Sequence, residues 1–270
     1  MLPQDCVSTI ISLTSPRDAC RSSVVSSIFR SATESDIVWE RFLPSDYGDI
    51  VSRLVTPLNY SSKKELYLRL CHPVLIDGGN KSFMLEKSSG RKSFVLSARE
   101  LSITWGDEPL YWCWITGTES RFLEVAVLRT TSWLEIQGKI RTLLISPKTT
   151  YGAYLILKIL DQAYGLDSVP SEMSIQVGNQ VSTSTAYIRR QDSKEECQNN
   201  MNHIEVLETR FIEEIERIPS EREDGWMEIE LGEFFSGEDD EEVKMSLMEV
   251  KGYQLKGGLV IEGIEVRPKL

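Results

Sequence analysis

The 270-residue sequence has little histidine and cysteine, and each shortage argues against a class of function. Its two histidines, His72 and His203, lie beside a proline and in a polar stretch, where we expect surface side chains and not catalytic bases. The five cysteines are scattered and never form a CxxC pair, which argues against a disulfide framework and a cysteine-rich zinc site. No nucleophile elbow, zinc-protease, phosphate-loop or dinucleotide motif occurs. We therefore expect no enzymatic activity, no metal or other cofactor, and a reducing compartment, cytoplasmic or nuclear.

Long apolar runs and an excess of basic charge are also lacking. No stretch approaches the roughly 18 apolar residues of a membrane-spanning helix, and the opening MLPQDCVSTIISLTSPRD shows no basic leader. The net charge is −11, and residues 205–242 hold 16 acidic against 3 basic side chains. Such a surface repels phosphate groups, so neither a membrane nor a nucleic acid is an expected partner.

Three short helices are predicted for residues 1–45. The first helix carries apolar residues at helical spacing, namely Val7, Ile10 and Ile11. Ser15 and Pro16 supply an N-cap and a first helical residue for the second helix, and the third helix carries Trp39 and stops at Pro44. A unit this small cannot bury all its apolar side chains, so either the rest of the chain or another protein must cover them.

The pattern of apolar and polar residues changes after a helical connector, which we place at residues 46–80. Many short segments of alternating apolar and polar residues follow, and they predict a β-sandwich, jelly-roll-like, over residues 81–270 with a polar insertion near 178–222. Periodicity leaves TYGAYLILKILDQAYG open between strand and helix, and its tyrosines and β-branched residues favour a strand. Gly263 is a predicted β-bulge. The predicted fold class is α+β multidomain, a small all-α unit followed by an all-β sandwich.

The segment SITWGDEPLYWCWI holds three of the chain's six tryptophans. In one interpretation Trp105 continues its strand into the core and Trp112 and Trp114 share a buried strand face, and composition alone favours this. The break at residues 106–109 favours a second interpretation, because the loops at the ends of sandwiches carry binding sites. A ring there would stack on a sugar, and Asp107 would accept hydrogen bonds from its hydroxyls.

The first 44 residues resemble an F-box, through the stretch LPQDCVSTIISLTSPRDACRSSVVSSIFRSATESDIVWERFLP. This resemblance implies docking on a Skp-type adaptor and, through it, on a cullin ubiquitin ligase. The residues that we expect in or beneath that interface are Leu2, Pro3, Val7, Ile10, Ile11, Pro16, Val24 and Trp39.

Beyond residue 80 the segments SARELSITWGDEPLYWCWI, EVAVLRTTSWLEIQGKI, DGWMEIELGEFF and EVKMSLMEVKGYQLKGGLVIEGIEVRP are similar to the phloem-lectin domain. That family includes the tobacco agglutinin, a β-sandwich lectin that binds N-acetylglucosamine oligomers and the cores of N-glycans. The whole chain resembles plant F-box proteins of the phloem-protein-two B type. The resemblance implies sugar binding by Trp105 and Trp112, and Glu242 is the nearest match to an acidic residue of the lectin site.

Together these features predict a substrate receptor of a cullin-type ubiquitin ligase that binds a glycan or a glycoprotein target through a lectin domain. Two other functions stay open. One is a protein-binding module without sugar binding, whose tryptophans are core residues. The other is a glycoside hydrolase, since the many carboxylates make any catalytic pair unspecific.

Overall fold

The computed structural model describes residues 3–117, 119–190 and 217–269. Within this part of the chain, six α-helices precede fourteen β-strands. The helices are α1 (Gln4–Ser12), α2 (Pro16–Ser22), α3 (Ser27–Thr33), α4 (Asp36–Phe42), α5 (Tyr47–Ser52) and α6 (Lys63–Leu70). The strands are β1 (Val74–Ile76), β2 (Lys81–Leu85), β3 (Lys92–Ser97), β4 (Ser102–Ile103), β5 (Trp112–Thr116), β6 (Glu124–Leu128), β7 (Leu134–Arg141), β8 (Thr149–Tyr164), β9 (Ser171–Val177), β10 (Gln180–Ala186), β11 (Ser220–Glu221), β12 (Met227–Ser236), β13 (Glu242–Glu249) and β14 (Gly257–Pro268).

The helix starts follow from their capping residues. The Ser15 side chain accepts a hydrogen bond from the backbone N–H of Asp18 at 3.1 Å, and Pro16 occupies the first helical position. The Ser62 side chain caps α6 in the same way, through the N–H of Glu65 at 3.1 Å. Each cap satisfies a backbone donor that has no partner within the helix, which is why α2 begins at Pro16, as predicted, and α6 at Lys63.

Two antiparallel sheets form the sandwich. The larger sheet has nine strands in the order β1-β2-β3-β14-β8-β12-β11, with β6 pairing with β14 and β5 with β6; the smaller has the order β10-β9-β13-β7-β4. The run TYGAYLILKILDQAYG is a strand, as predicted, and it is β8 in the middle of the larger sheet. The pairing of β14 with β8 shifts register between Ile261 and Gly263, which confirms the predicted bulge. The fold class is the predicted one.

One hydrophobic core extends from the helices into the sandwich. Trp39 of α4 is fully buried against Tyr67 of α6, with ring centroids 5.2 Å apart, and both belong to the same cluster as Phe83 of β2. The Tyr67 hydroxyl donates to the backbone oxygen of Lys87, in the turn between β2 and β3, at 3.2 Å. Four short helices, α1 to α4, occupy the range where the sequence predicts three, because Ser26 caps a separate helix, α3. The connector helix α6 and the sandwich together cover the apolar face that these helices cannot bury by themselves.

Ion pairs cross the same junction. Lys92 of β3 donates to Asp46, just before α5, at 2.7 Å, and its side chain is 8% exposed. Arg53, after α5, makes a two-point contact with the Asp77 carboxylate, and both hydrogen bonds measure 2.8 Å. These contacts hold the helical unit in one orientation on the sandwich.

The helices pack at one end of the sandwich, beside the β2–β3 turn and the start of β3. Since β3 runs antiparallel to β14, with Phe94 opposite Val266, this is the end at which β14 finishes. The loop after β4, the start of β5 and the residues before β7 lie at the other end, where β14 begins. At about 3.3 Å per residue, β14 separates the two ends by about 35 Å.

The range predicted as a polar insertion contains β10, which pairs with β9, and β11, which pairs with β12. Residues 191–216 of that range lie outside the described residues. Among the helices of the described part, none is long and apolar enough to span a membrane.

Candidate functional site

The loop between β4 and β5 presents Trp105 at the end of the sandwich far from the helices. The Trp105 backbone has a φ of 58°, a left-handed conformation that is uncommon for a bulky residue, so the chain turns out of the strand here. Its ring is 43% exposed and stacks on that of Tyr111, with centroids 4.8 Å apart. The strand that would have carried Trp105 into the core ends at Ile103, and a loop follows where the sequence predicts a break.

Trp112 lies beneath this loop. Its side chain is 2% exposed, and its Nε1 donates to the backbone oxygen of Thr104 at 3.2 Å. Burial corrects the expectation that the Trp112 ring is a stacking surface, because no ligand reaches a ring enclosed by the core. Trp112 instead fixes the residue before Trp105. Any contribution of Trp112 to sugar binding stays a prediction.

Trp114 supports the other side of the same turn. Its Nε1 donates to the backbone oxygen of Gly106 at 2.9 Å, and the Arg99 guanidinium lies 3.6 Å from the ring centroid. The ring was expected in the core, and the structure leaves it only partly buried, packed against the core and covered on one face by Arg99. The indoles of Trp112 and Trp114 therefore hold the carbonyl groups on either side of Trp105.

Two acidic residues of the predicted sugar site lie apart. Asp107 is in the Trp105 loop, and its side chain is 99% exposed, 4.0 Å from Arg99. Glu242 begins β13 opposite Arg141, and its carboxylate lies 3.5 Å from Lys139. Thr104, next to Trp105, lies at the start of β7, where its backbone N–H donates a hydrogen bond to the backbone oxygen of Glu135. About six residues of strand, or about 20 Å, therefore separate Glu242 from the loop, and the structure does not bring it together with Trp105.

A carboxylate that the sequence analysis did not single out lies beside the Trp105 loop. Glu135 Oε2 accepts hydrogen bonds from the Thr104 hydroxyl at 3.0 Å and from Nε1 of Trp133 at 2.9 Å, and Oε1 accepts one from Gln137 at 2.7 Å. The Trp133 side chain is 42% exposed. The sequence could have indicated this position for Trp133. It directly precedes the buried Leu134 at the start of β7, so by alternation its side chain falls on the opposite, polar face.

The residues of the predicted adaptor interface divide into an exposed and a buried set. Pro3, Ile10 and Val24 are exposed, with Ile10 at 54% and Val24 at 79%. The buried set comprises Val7, Ile11, Pro16 and Trp39. Leu2 lies outside the described residues. Leu13 and Val25 are also exposed, at 66% and 69%. The first two helices and the residues that follow them thus keep apolar side chains in water, although α3 and α4 pack against the other face of α1.

Comparisons with known proteins agree with this two-part structure. The F-box domain family matches residues 1–41, and the phloem protein 2 family matches residues 91–268. Among solved structures, the likeness to the insecticidal crystal protein Cry2Aa has a TM-score of 0.32 at 10% identity, covers 71% of this chain and 25% of that one, and carries no argument.

Full-length relatives occur in Arabidopsis thaliana. F-box protein PP2-B15 is 52% identical, over 100% of this chain and 96% of the relative. F-box protein VBF is 50% identical over 100% and 99%, and F-box protein PP2-B13 is 49% identical over 99% and 98%. An F-box implies binding to a Skp-type adaptor. With both domains matched in order and relatives aligned from end to end, the chain belongs to the F-box proteins that carry a phloem protein 2 domain.

Proposed function

We propose that the chain is the substrate-receptor subunit of a cullin-type ubiquitin ligase, acting in the cytoplasm or nucleus. The first helices dock on the adaptor, and the far end of the sandwich binds a glycan or a glycoprotein target. The chain itself performs no covalent chemistry. The two binding surfaces lie at opposite ends of one continuous core, so a bound target is held at a fixed distance from the ligase.

One observation supports adaptor docking above the others. Trp39 is buried against α6 in the common core, yet Ile10, Leu13, Val24 and Val25 stay largely exposed. Ile10 and Leu13 are three residues apart and share one face of α1. Apolar side chains left in water after the chain has closed its own core are typical of a surface that a second protein covers.

Co-purification with a Skp-type adaptor tests this half of the proposal. We expect the double variant Ile10→Lys, Val24→Glu to lose the adaptor while keeping the wild-type melting temperature, because both side chains point into solvent. The matched control is Leu123→Lys, which changes a 77% exposed side chain of the sandwich and should retain the adaptor. Retention of the adaptor by the double variant would contradict the docking model.

Target recognition rests on the exposed ring of Trp105 and the carboxylates beside it. Sugars stack their C–H faces on such rings, and their hydroxyls donate to carboxylates. A glycan array probed with the full chain and its Trp105→Ala variant tests this half. We expect binding by the wild type and its loss in the variant.

The burial of Trp112 favours one alternative, a protein-binding module without sugar binding. In that case the array stays blank for the wild type, and exposed residues of the same end, Trp105 and Trp133, contact a protein target instead. Loss of a captured target in Trp105→Ala, together with a blank array, would identify this function.

A further inference from the structure

Glu135 has one acceptor position to offer a ligand. A carboxylate oxygen accepts about two hydrogen bonds. Oε2 already accepts two, from the Thr104 hydroxyl and the Trp133 indole, whereas Oε1 accepts only one, from the Gln137 amide. The three donors hold the carboxylate in one orientation, so its free position on Oε1 is fixed before a ligand arrives.

Two exposed rings belong to the segments that contact this carboxylate: Trp133 donates to it, and Trp105 follows Thr104, whose hydroxyl donates to it. Trp133 is pinned by its own bond to Glu135, and Trp105 is pinned by stacking on Tyr111 and by the carbonyl groups that flank it. Both rings are a little over 40% exposed, at 42% for Trp133 and 43% for Trp105. Rings held in place in the free protein lose little conformational freedom on binding, and this favours affinity from a small contact.

The charges around the rings select the kind of ligand. Glu135 is joined by Asp107 and Glu108, both exposed, and by Glu124, which pairs with the exposed Arg99 at 2.9 Å. Arg99 also lies 4.0 Å from Asp107, and a second exposed arginine, Arg129, follows β6 beside Tyr111. These four carboxylates against two arginines leave a negative balance, which repels anionic groups. A carboxylate also accepts and does not donate, so the ligand must bring hydroxyl or amide donors.

We propose that Trp133 and Glu135, together with Trp105, form a subsite for an uncharged saccharide. One pyranose ring stacks on Trp133, and a hydroxyl or N-acetyl N–H of the same sugar donates to Glu135 Oε1. This inference rests on the proposed glycan binding, and it names the residues and the charge class that the binding requires.

Titration calorimetry of the full chain with the N-acetylglucosamine trimer tests the subsite. We expect Trp133→Ala to weaken binding at least tenfold, and Glu135→Gln to weaken it severalfold because the amide has only one accepting oxygen. Trp133→Phe keeps a stacking ring but loses the indole N–H, so it should fall between the wild type and Trp133→Ala. The control is Leu123→Ala, an exposed apolar residue away from the loop, which should bind as the wild type does. Melting temperatures of all variants verify that each one folds.

The outcomes separate this inference from the proposed function. If Trp105→Ala loses the trimer and Trp133→Ala keeps wild-type affinity, the subsite is wrong and glycan binding stands. If the wild type binds no glycan on the array, both the subsite and the proposed glycan binding are wrong. On the same array, sialylated or sulfated glycans that bind as strongly as neutral ones would overturn the charge argument.

Discussion

The indole of Trp112 donates to the backbone oxygen of Thr104 at 3.2 Å, from inside the core, and the next residue, Trp105, is exposed to solvent. A buried ring thus sets the position of an exposed one. Trp114 does the same from the other side, through the oxygen of Gly106 at 2.9 Å. The tryptophans of this segment therefore differ in position: Trp112 and Trp114 support the turn through hydrogen bonds, and Trp105 is exposed on it.

Trp112→Ala should lower the free energy of unfolding by about 3–5 kcal/mol, because it leaves a cavity in the core. Trp112→Phe keeps a buried ring and removes the bond to Thr104, so we expect a loss of about 1 kcal/mol from the missing hydrogen bond, plus a small packing term. Chemical denaturation measures both changes. A Trp112→Ala protein as stable as the wild type would show that the ring is not a core residue.

Replacement of Lys92 or Asp46 should weaken the junction between helices and sandwich. Asp46→Ala leaves the 8% exposed Lys92 ammonium without its carboxylate, and we expect a loss of about 1.5–3 kcal/mol, the range for hydrogen bonds to charged groups. Thermal unfolding, followed by far-ultraviolet and tryptophan signals together, measures the loss. The two signals should change in a single transition, because both halves share one core. Two separate transitions in the wild type would contradict this.

Stability should fall in acid partly through Asp77. The hydrogen bond from Arg53 lowers the pKa of the Asp77 carboxyl to about 2, from an ordinary 3.8. Because the folded pKa is the lower one, the pair contributes its full stability above about pH 4 and loses it as the pH falls towards 2. In Asp77→Asn this contribution is absent at every pH. We therefore expect denaturation curves of the two proteins to converge between pH 4 and pH 2; a constant difference across this range would contradict the assignment.

Gly263→Ala should destabilise the larger sheet. A Cβ at this bulge would lie 1.9 Å from the backbone oxygen of Leu96, so β3 and β14 must separate locally. We expect a loss of about 1–3 kcal/mol or more, which is typical of overpacked sites. The matched control is Gly237→Ala, since nothing lies within 4 Å of a Cβ there. Equal stability of the two variants would show that the bulge tolerates a side chain.

Much of the fold follows from local patterns. Caps at Ser15 and Ser62 mark helix starts, and strict alternation of apolar residues marks β13, where Val243, Met245 and Leu247 are all buried. Such features depend on neighbouring residues in the chain, so they are visible in the sequence.

The site was predicted less well, because it depends on backbone turns and on pairs that are distant in sequence. The left-handed turn at Trp105 reverses which tryptophans point outward, and no periodicity reveals it. The position of Glu242 depends on the pairing of β13 with β7, and that pairing places it at the end of β7 away from Trp105. The hydrogen bond between Thr104 and Glu135 spans 31 residues and is equally hidden.

The core shared by Trp39, Tyr67 and Phe83 restricts how this protein can be re-engineered. A chimera that joins these helices to an unrelated ligand-binding module would open the cluster and expose its aromatic side chains, whatever linker is chosen. New binding specificity is better introduced by mutating the loop around Trp105, which lies beyond the start of β14 and outside this aromatic cluster. The helices and the sandwich are separate in sequence, but they share one core and cannot be exchanged separately.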